Sequence, residues 1–162
     1  MSAKSTSYRL VFLLALLMVS SACSSSNPAG PSDNDQSQTP GGTGTVRATV
    51  NPNPVPFSGT PITDVAGCAG RDHTWYYELT LEETSGSPVT FHSQIDVFDG
   101  FVVNNHSGLQ IEVPANGSVS LSPRWCSSTN AKHTAQHTFT GTDAKGARIT
   151  LRSQLVNLMA QR

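Results

Sequence analysis

The chain has 162 residues and a formal net charge of −1, with 10 Lys and Arg against 11 Asp and Glu. That length corresponds to one domain with flanking segments. Arg148 and Arg152 share one predicted strand face, which is too little positive charge to track a phosphate backbone, so we expect no nucleic-acid partner.

The first 22 residues have the pattern of an export signal. Lys4 and Arg9 precede an apolar run over residues 10–19, and the small residues 20–22 follow it. The run is about half of the roughly 20 residues that a membrane-spanning helix needs. A cleaved signal peptide over residues 1–22 is therefore favoured over a retained single-span anchor.

The stretch Val19-Ser20-Ser21-Ala22-Cys23 resembles the lipobox of bacterial lipoproteins, whose cysteine is diacylated before cleavage. It departs from that family at Ser20, where an aliphatic residue is usual. The resemblance implies a lipid anchor at Cys23 and, with Ser24 next, transfer to the outer membrane; several acyl chains hold a protein on a bilayer. The alternative is ordinary cleavage after Ala22, which gives a soluble periplasmic or secreted protein.

The cysteine count agrees with lipidation. The chain has Cys23, Cys68 and Cys126, and an odd number in an exported protein leaves one cysteine outside any pair. A lipid on Cys23 leaves Cys68 and Cys126, which we expect to form a structural disulfide in an oxidising compartment. A free or intermolecular Cys23 is the alternative.

Two regions follow the signal peptide. Residues 23–45 are Ser, Pro, Gly, Asn and Thr with few apolar side chains, so we predict a disordered tether. Residues 46–162 alternate apolar and polar positions with period two, which is typical of half-buried strands. We predict strands at 46–50, 75–83 and Val89–Phe98, the last two forming a central hairpin, and four shorter strands after them. We expect loops at 104–108 and 126–132.

Both ends of this region look like immunoglobulin-like and fibronectin-like modules of bacterial surface proteins. The opening strand runs into Asn51-Pro52-Asn53-Pro54, and residues 139–150 look like a closing hairpin with a Gly-containing turn. The resemblance implies an all-β fold for residues 46–162, an immunoglobulin-like antiparallel β-sandwich of about seven strands.

No catalytic motif is present, and we predict no catalytic residues, metal site or cofactor. The chain has five histidines, and an enzyme or metal-binding protein would need at least three of them to converge: His73, His92, His106, His133 and His137. Four residues along a strand span about 13 Å, so His133 and His137 do not reach one ion in a regular strand.

The sequence therefore favours a membrane-tethered, non-catalytic module of the cell envelope that binds a protein or glycan partner or supports an assembly. The expected contact surfaces are the two loops, with Tyr76, Phe98 and Phe101 as candidate contact residues. The alternative is a periplasmic or surface enzyme or metal-binding protein that uses convergent His and Asp side chains.

Overall fold

The computed structural model describes residues 45–162, so the predicted signal peptide, Cys23 and nearly all of the tether lie outside the described residues. Across the described residues a single short 3₁₀ turn, Ala66–Cys68, accompanies ten strands. The strands are β1 Val46–Asn51, β2 His73–Tyr76, β3 Glu78–Glu83, β4 Val89–Phe98, β5 Phe101–Val113, β6 Ser118–Leu121, β7 Arg124–Ser127, β8 His133–Asp143, β9 Arg148–Arg152 and β10 Val156–Leu158. No helix between residues 45 and 162 is long and apolar enough to cross a membrane.

The strands form two antiparallel layers. One layer has the order β1-β3-β6, and the other has the order β10-β8-β4-β5 with β9 also paired to β8. Strands β9 and β10 pair with successive parts of β8, at residues 138–142 and 133–135, so they occupy one edge. The described chain is thus the all-β sandwich that the sequence predicts, with ten strands where about seven were expected.

The short pair β2–β7 continues the first layer. Trp75 lies opposite Trp125 and Leu79 lies opposite Leu121, so both pairs belong to one register. The ladder is interrupted between them, where Tyr77 faces Pro123 and donates its N–H to the Pro123 carbonyl at 3.4 Å. Pro123 has no N–H to return, which is why the segment predicted as one strand over 75–83 is divided into β2 and β3.

The predicted central hairpin is wrong. Strand β3 pairs with β1 and β6, whereas β4 pairs with β5 and β8 in the other layer. Residues 84–88 therefore cross between the layers. Glu83 stabilises this crossing, because its buried carboxylate accepts the backbone N–H groups of Ser85, Gly86 and Asn116.

Two predicted loops are also partly wrong. Residues 104–108 belong to β5, where their backbone pairs with β4 although their side chains are exposed. Cys126 and Ser127 belong to β7, so the loop there is limited to 128–132. Polar side chains are compatible with a strand at a sheet edge, since one face and one edge remain in water.

The core lies between the layers, where alternate residues of each strand face inward. Every second residue of β8, from His133 to Asp143, is buried. The largest fully buried apolar side chains are Trp75, Phe91, Phe139, Leu79, Leu81 and Leu158.

Candidate functional site

A cleft of about 640 Å³ lies between β4–β5 on one side and β6–β7 on the other. The loop that contains the 3₁₀ turn forms a third wall, with Val65, Gly67, Cys68 and Arg71. The volume is within the range of about 300–1,000 Å³ that is typical of small-molecule sites. This cleft is the candidate functional site.

A series of hydrogen bonds forms the floor of the cleft. Trp125 Nε1 donates to Tyr77 Oη at 2.9 Å, Tyr77 Oη lies 2.6 Å from His137 Nε2, and His137 Nδ1 lies 2.7 Å from Asp96 Oδ1. An indole can only donate and a carboxylate can only accept. One tautomer of His137 satisfies the whole series, with Nδ1–H donating to Asp96 and Nε2 accepting from Tyr77.

The floor is buried, and burial affects its titratable groups. His137 is 1% exposed and Tyr77 is also buried. Burial raises the pKa of Tyr77 well above its ordinary value, and this outweighs the hydrogen bond from Trp125, which lowers it. The phenol therefore remains protonated and able to donate to His137.

Asp96 connects the floor to the cleft. Burial raises the pKa of Asp96, but hydrogen bonds from His137 and Gln94 outweigh burial and hold the pKa below its ordinary value. Oδ1 is engaged by both of those groups, whereas Oδ2 has only long contacts, to Asn104 Nδ2 at 3.5 Å and His106 Nε2 at 3.6 Å. Asp96, which is 6% exposed, therefore presents an anionic acceptor at the cleft.

Two irregularities in the β4–β5 ladder create this arrangement. The register shifts between Phe91 and Ser93, and a second shift between Asp96 and Val97 leaves Val103 as an extra residue of β5. The first shift turns Asp96 inward and leaves Ile95 37% exposed. The regular alternation predicted for Val89–Phe98 would put Ile95 on the same face as Val89 and Phe91, and this is wrong because a bulge exchanges the two faces of a strand.

A second histidine–aspartate pair lies beside the floor. His133 Nδ1 is 2.6 Å from Asp99 Oδ2, and Thr134 N–H donates to Asp99 Oδ1 at 2.8 Å. Burial raises the pKa of Asp99, but the His133 and Thr134 hydrogen bonds outweigh it and lower the pKa. The ring of Phe98 packs against both Trp125 and His133. The His133–Asp99 pair therefore supports the cleft wall through Phe98.

The five histidines do not converge. His106 and His137 both approach Asp96, whereas His133 is held by Asp99. His92 contacts Thr142, and His73 packs against Phe57. Among residues 45–162 no group of three His, Cys, Asp or Glu side chains is arranged to hold a metal ion.

The third wall of the cleft is attached to β7 at two points. Cys68 and Cys126 form a disulfide, in agreement with the sequence analysis. Arg124 donates two hydrogen bonds to Asp64, at 2.8 and 2.9 Å. Because β7 carries both attachments, the wall is held against the strand that supplies Trp125.

The three aromatic residues expected at a contact surface lie in different environments. Tyr76 donates its hydroxyl to the Thr60 carbonyl at 2.9 Å, and Phe98 packs against the core. Phe101 is 75% exposed at the tip of the β4–β5 hairpin, beside exposed Val102 and Val103. Of these three residues, only Phe101 exposes most of its ring at the surface, where a partner could contact it.

The sequence identified His137 only as one of five candidate histidines, and it did not bring together the other residues that build the floor: Tyr77, Gln94, Asp96 and Trp125. They come from separate segments of the chain, so no local motif unites them. One signal was present, since Ser93 interrupts the apolar alternation next to the bulge that turns Asp96 inward. A polar break in an otherwise regular strand is the usual trace of such a bulge.

Comparison with known proteins gives the fold alone. No protein-family model matches the chain, and no curated protein matches it. Structural-genomics target SoR45 is similar with a TM-score of 0.54 and 10% identity, over 71% of this chain and 86% of that one. The putative ApaA protein of Bordetella pertussis is similar with a TM-score of 0.52 and 14% identity, over 74% and 94%. The CARDB domain of PF1109 from Pyrococcus furiosus has a TM-score of 0.39 and 13% identity, over 72% and 97%.

Proposed function

We propose that this protein is a non-catalytic binding module of the cell envelope, held at the outer membrane by a lipid on Cys23, with the cleft as its binding site. The carrying observation is that the polar groups of the cleft floor bond one another, while Asp96 lines the cleft with one oxygen, Oδ2, that has only long polar contacts. Such an arrangement orients an acceptor for a ligand.

The state of the floor side chains favours binding over catalysis. Both ring nitrogens of His137 are already engaged, by Asp96 and Tyr77, and its ring is almost fully buried. The raised pKa of Tyr77 makes its phenolate a costly species. A nucleophile or general base needs a free lone pair within reach of substrate, and neither group offers one in this arrangement.

The lipid anchor is tested on the full chain expressed in a bacterium. We expect the protein to fractionate with the outer membrane and to carry acyl mass at residue 23. The Cys23→Ser variant should be found in the soluble fraction without that mass, and the matched Ser25→Ala variant should behave like the parent chain. A soluble parent chain with a free thiol at Cys23 would contradict the tether.

A further inference from the structure

We infer that the cleft binds a neutral, hydroxyl-rich ligand, a saccharide, through Asp96 and Asn104. This inference rests on the proposed function of the domain as a binding module and names the class of ligand. It depends on the hydrogen-bonding capacity of the cleft floor, the charge of the cleft walls and the apolar surfaces between them.

Asp96 and Asn104 provide an acceptor and a donor that a single ligand hydroxyl can bind. Asp96 Oδ2 is an acceptor with no contact shorter than 3.5 Å among the described residues, and its carboxylate is nine-tenths buried. Asn104 Nδ2 is a donor next to it. A ligand hydroxyl both donates and accepts, so a single hydroxyl can donate to Asp96 and accept from Asn104. A buried acceptor gains most from a ligand that completes its hydrogen bonds.

The charges of the cleft favour a neutral ligand over a singly charged one. The lowered pKa of Asp96 keeps a negative charge at the floor, which disfavours an anion. Arg71 and Arg124 also line the cleft, and their positive charges disfavour a cation. Arg124 is balanced by Asp64, so the charges nearly cancel over the cleft as a whole. A neutral ligand meets both signs without a net penalty.

The apolar part of the lining fits the other surface of a sugar. Phe98 and Trp125 line the cleft as neighbouring rings, with a centroid distance of 5.2 Å, and Val65 and Leu121 complete the walls. A pyranose has a C–H face that packs on aromatic rings, whose faces carry negative charge density. The cleft thus combines a few convergent polar groups with apolar walls, which is the general composition of a small-ligand site.

The test uses the purified full chain, in a detergent without a sugar headgroup if it is membrane-bound, and follows its two indole N–H signals by NMR. The probes are maltose, lactose and N,N′-diacetylchitobiose, with sulfate and putrescine as the anionic and cationic comparisons. Trp125 lines the cleft and its Nε1 donates to Tyr77, whereas Trp75 and its acceptor Met159 are not among the lining residues, so Trp75 is an internal control. We expect a saturable shift of the Trp125 signal with at least one saccharide and an unchanged Trp75 signal.

Two variants connect the shift to the site. Asn104→Ala removes an exposed side chain, keeps the fold and should weaken saccharide affinity about tenfold, the value of one good hydrogen bond. Asn105→Ala is the matched control, because Asn105 pairs with Ile95 on the other face, and it should bind like the parent chain.

Several results would overturn the inference. One is a folded protein, with its Trp75 signal in place, that shows no Trp125 shift with any of the three saccharides. Another is a saccharide shift that Asn104→Ala leaves unchanged. Saturable binding of sulfate or putrescine alone at Trp125 would overturn the saccharide class while leaving the proposed binding module intact, so the two failures are distinguishable.

Discussion

Glu83 illustrates how one buried carboxylate joins distant turns. Its oxygens accept N–H groups from residues 85, 86 and 116, and the Ser85 hydroxyl also donates to them. Burial raises the pKa of Glu83, but these hydrogen bonds outweigh burial and hold the pKa at about 2, against an ordinary value of 4.5. The ionised form is therefore the one that the fold stabilises.

The first prediction concerns acid stability. A carboxyl whose pKa is lower in the folded state stabilises the fold above its unfolded pKa, near 4.5, and loses that contribution as the pH falls towards 2. Glu83→Gln should lower the free energy of unfolding by about 2 kcal/mol at pH 7, with little difference at pH 2. Urea titrations at both pH values check this. Glu112→Gln, at an exposed position, is the control; equal losses in both variants would contradict the role of Glu83.

The second prediction concerns the hydroxyl of Tyr77. Tyr77→Phe leaves Trp125 Nε1 and His137 Nε2 without their partner, and an unsatisfied buried polar group costs about 1–3 kcal/mol. Tyr76→Phe removes a hydroxyl from the neighbouring residue, which bonds Thr60 near the surface, and should cost less than about 1 kcal/mol. Unfolding in urea measures both. A smaller loss for Tyr77→Phe than for Tyr76→Phe would rule out the proposed hydrogen-bond series.

At the scale of elements, Gly141 of β8 lies close against the backbone of β4. A Cβ at this position would lie 2.0 Å from the Thr90 carbonyl oxygen and 2.6 Å from the Phe91 Cα. Both atoms belong to the backbone of β4, so no side chain can move to make room. The approach lies beside the bulge that turns Asp96 inward, and it therefore contributes to the geometry of the site.

The third prediction tests this contact. Gly141→Ala should lower the free energy of unfolding by about 3 kcal/mol or more, because the strands must separate to admit the methyl group. Gly67→Ala has open space around its Cβ and should be nearly neutral. Thermal unfolding followed by circular dichroism compares the two variants. Similar midpoints for Gly141→Ala and the parent chain would show that the strands are not in this register.

At the scale of the whole molecule, the disulfide ties a long irregular segment to the sandwich. Cys68 and Cys126 are 58 residues apart in the chain, and the segment before Cys68 supplies one cleft wall. In the chain-entropy model, closing a loop of that length lowers the entropy of the unfolded chain and so raises the free energy of unfolding by about 4 kcal/mol. The bond therefore stabilises the domain and keeps the wall in place at the same time.

The fourth prediction tests the contribution of the disulfide to stability. The double variant Cys68→Ser, Cys126→Ser should lose up to about 4 kcal/mol of unfolding free energy, and dithiothreitol should bring the parent chain to the same value. Cys23→Ser, outside the domain, should have the same unfolding free energy as the parent chain both without and with the reductant. A double variant as stable as the parent chain would show that the bond contributes nothing to the fold.

The strands themselves were predictable because their signal is local. The alternation of β8 and the Asp99-Gly100 turn that joins β4 to β5 are visible in the sequence and present in the structure. Period-two burial depends only on neighbours along the chain, so the all-β class and most strand positions could be predicted from it. The disulfide could be predicted from the number of cysteines and the export-signal pattern of the first 22 residues.

What the sequence by itself determined is therefore the position of most strands, the β-sandwich class and the expected disulfide. The tertiary structure decided which strands pair, since β3 and β4 are adjacent in the chain but lie in different layers. It also decided that polar residues 104–108 form an edge strand, and that a bulge brings Asp96 to His137 and Tyr77. The physical reason is that pairing and bulges depend on contacts between residues far apart in the chain, which a local pattern of polarity does not encode.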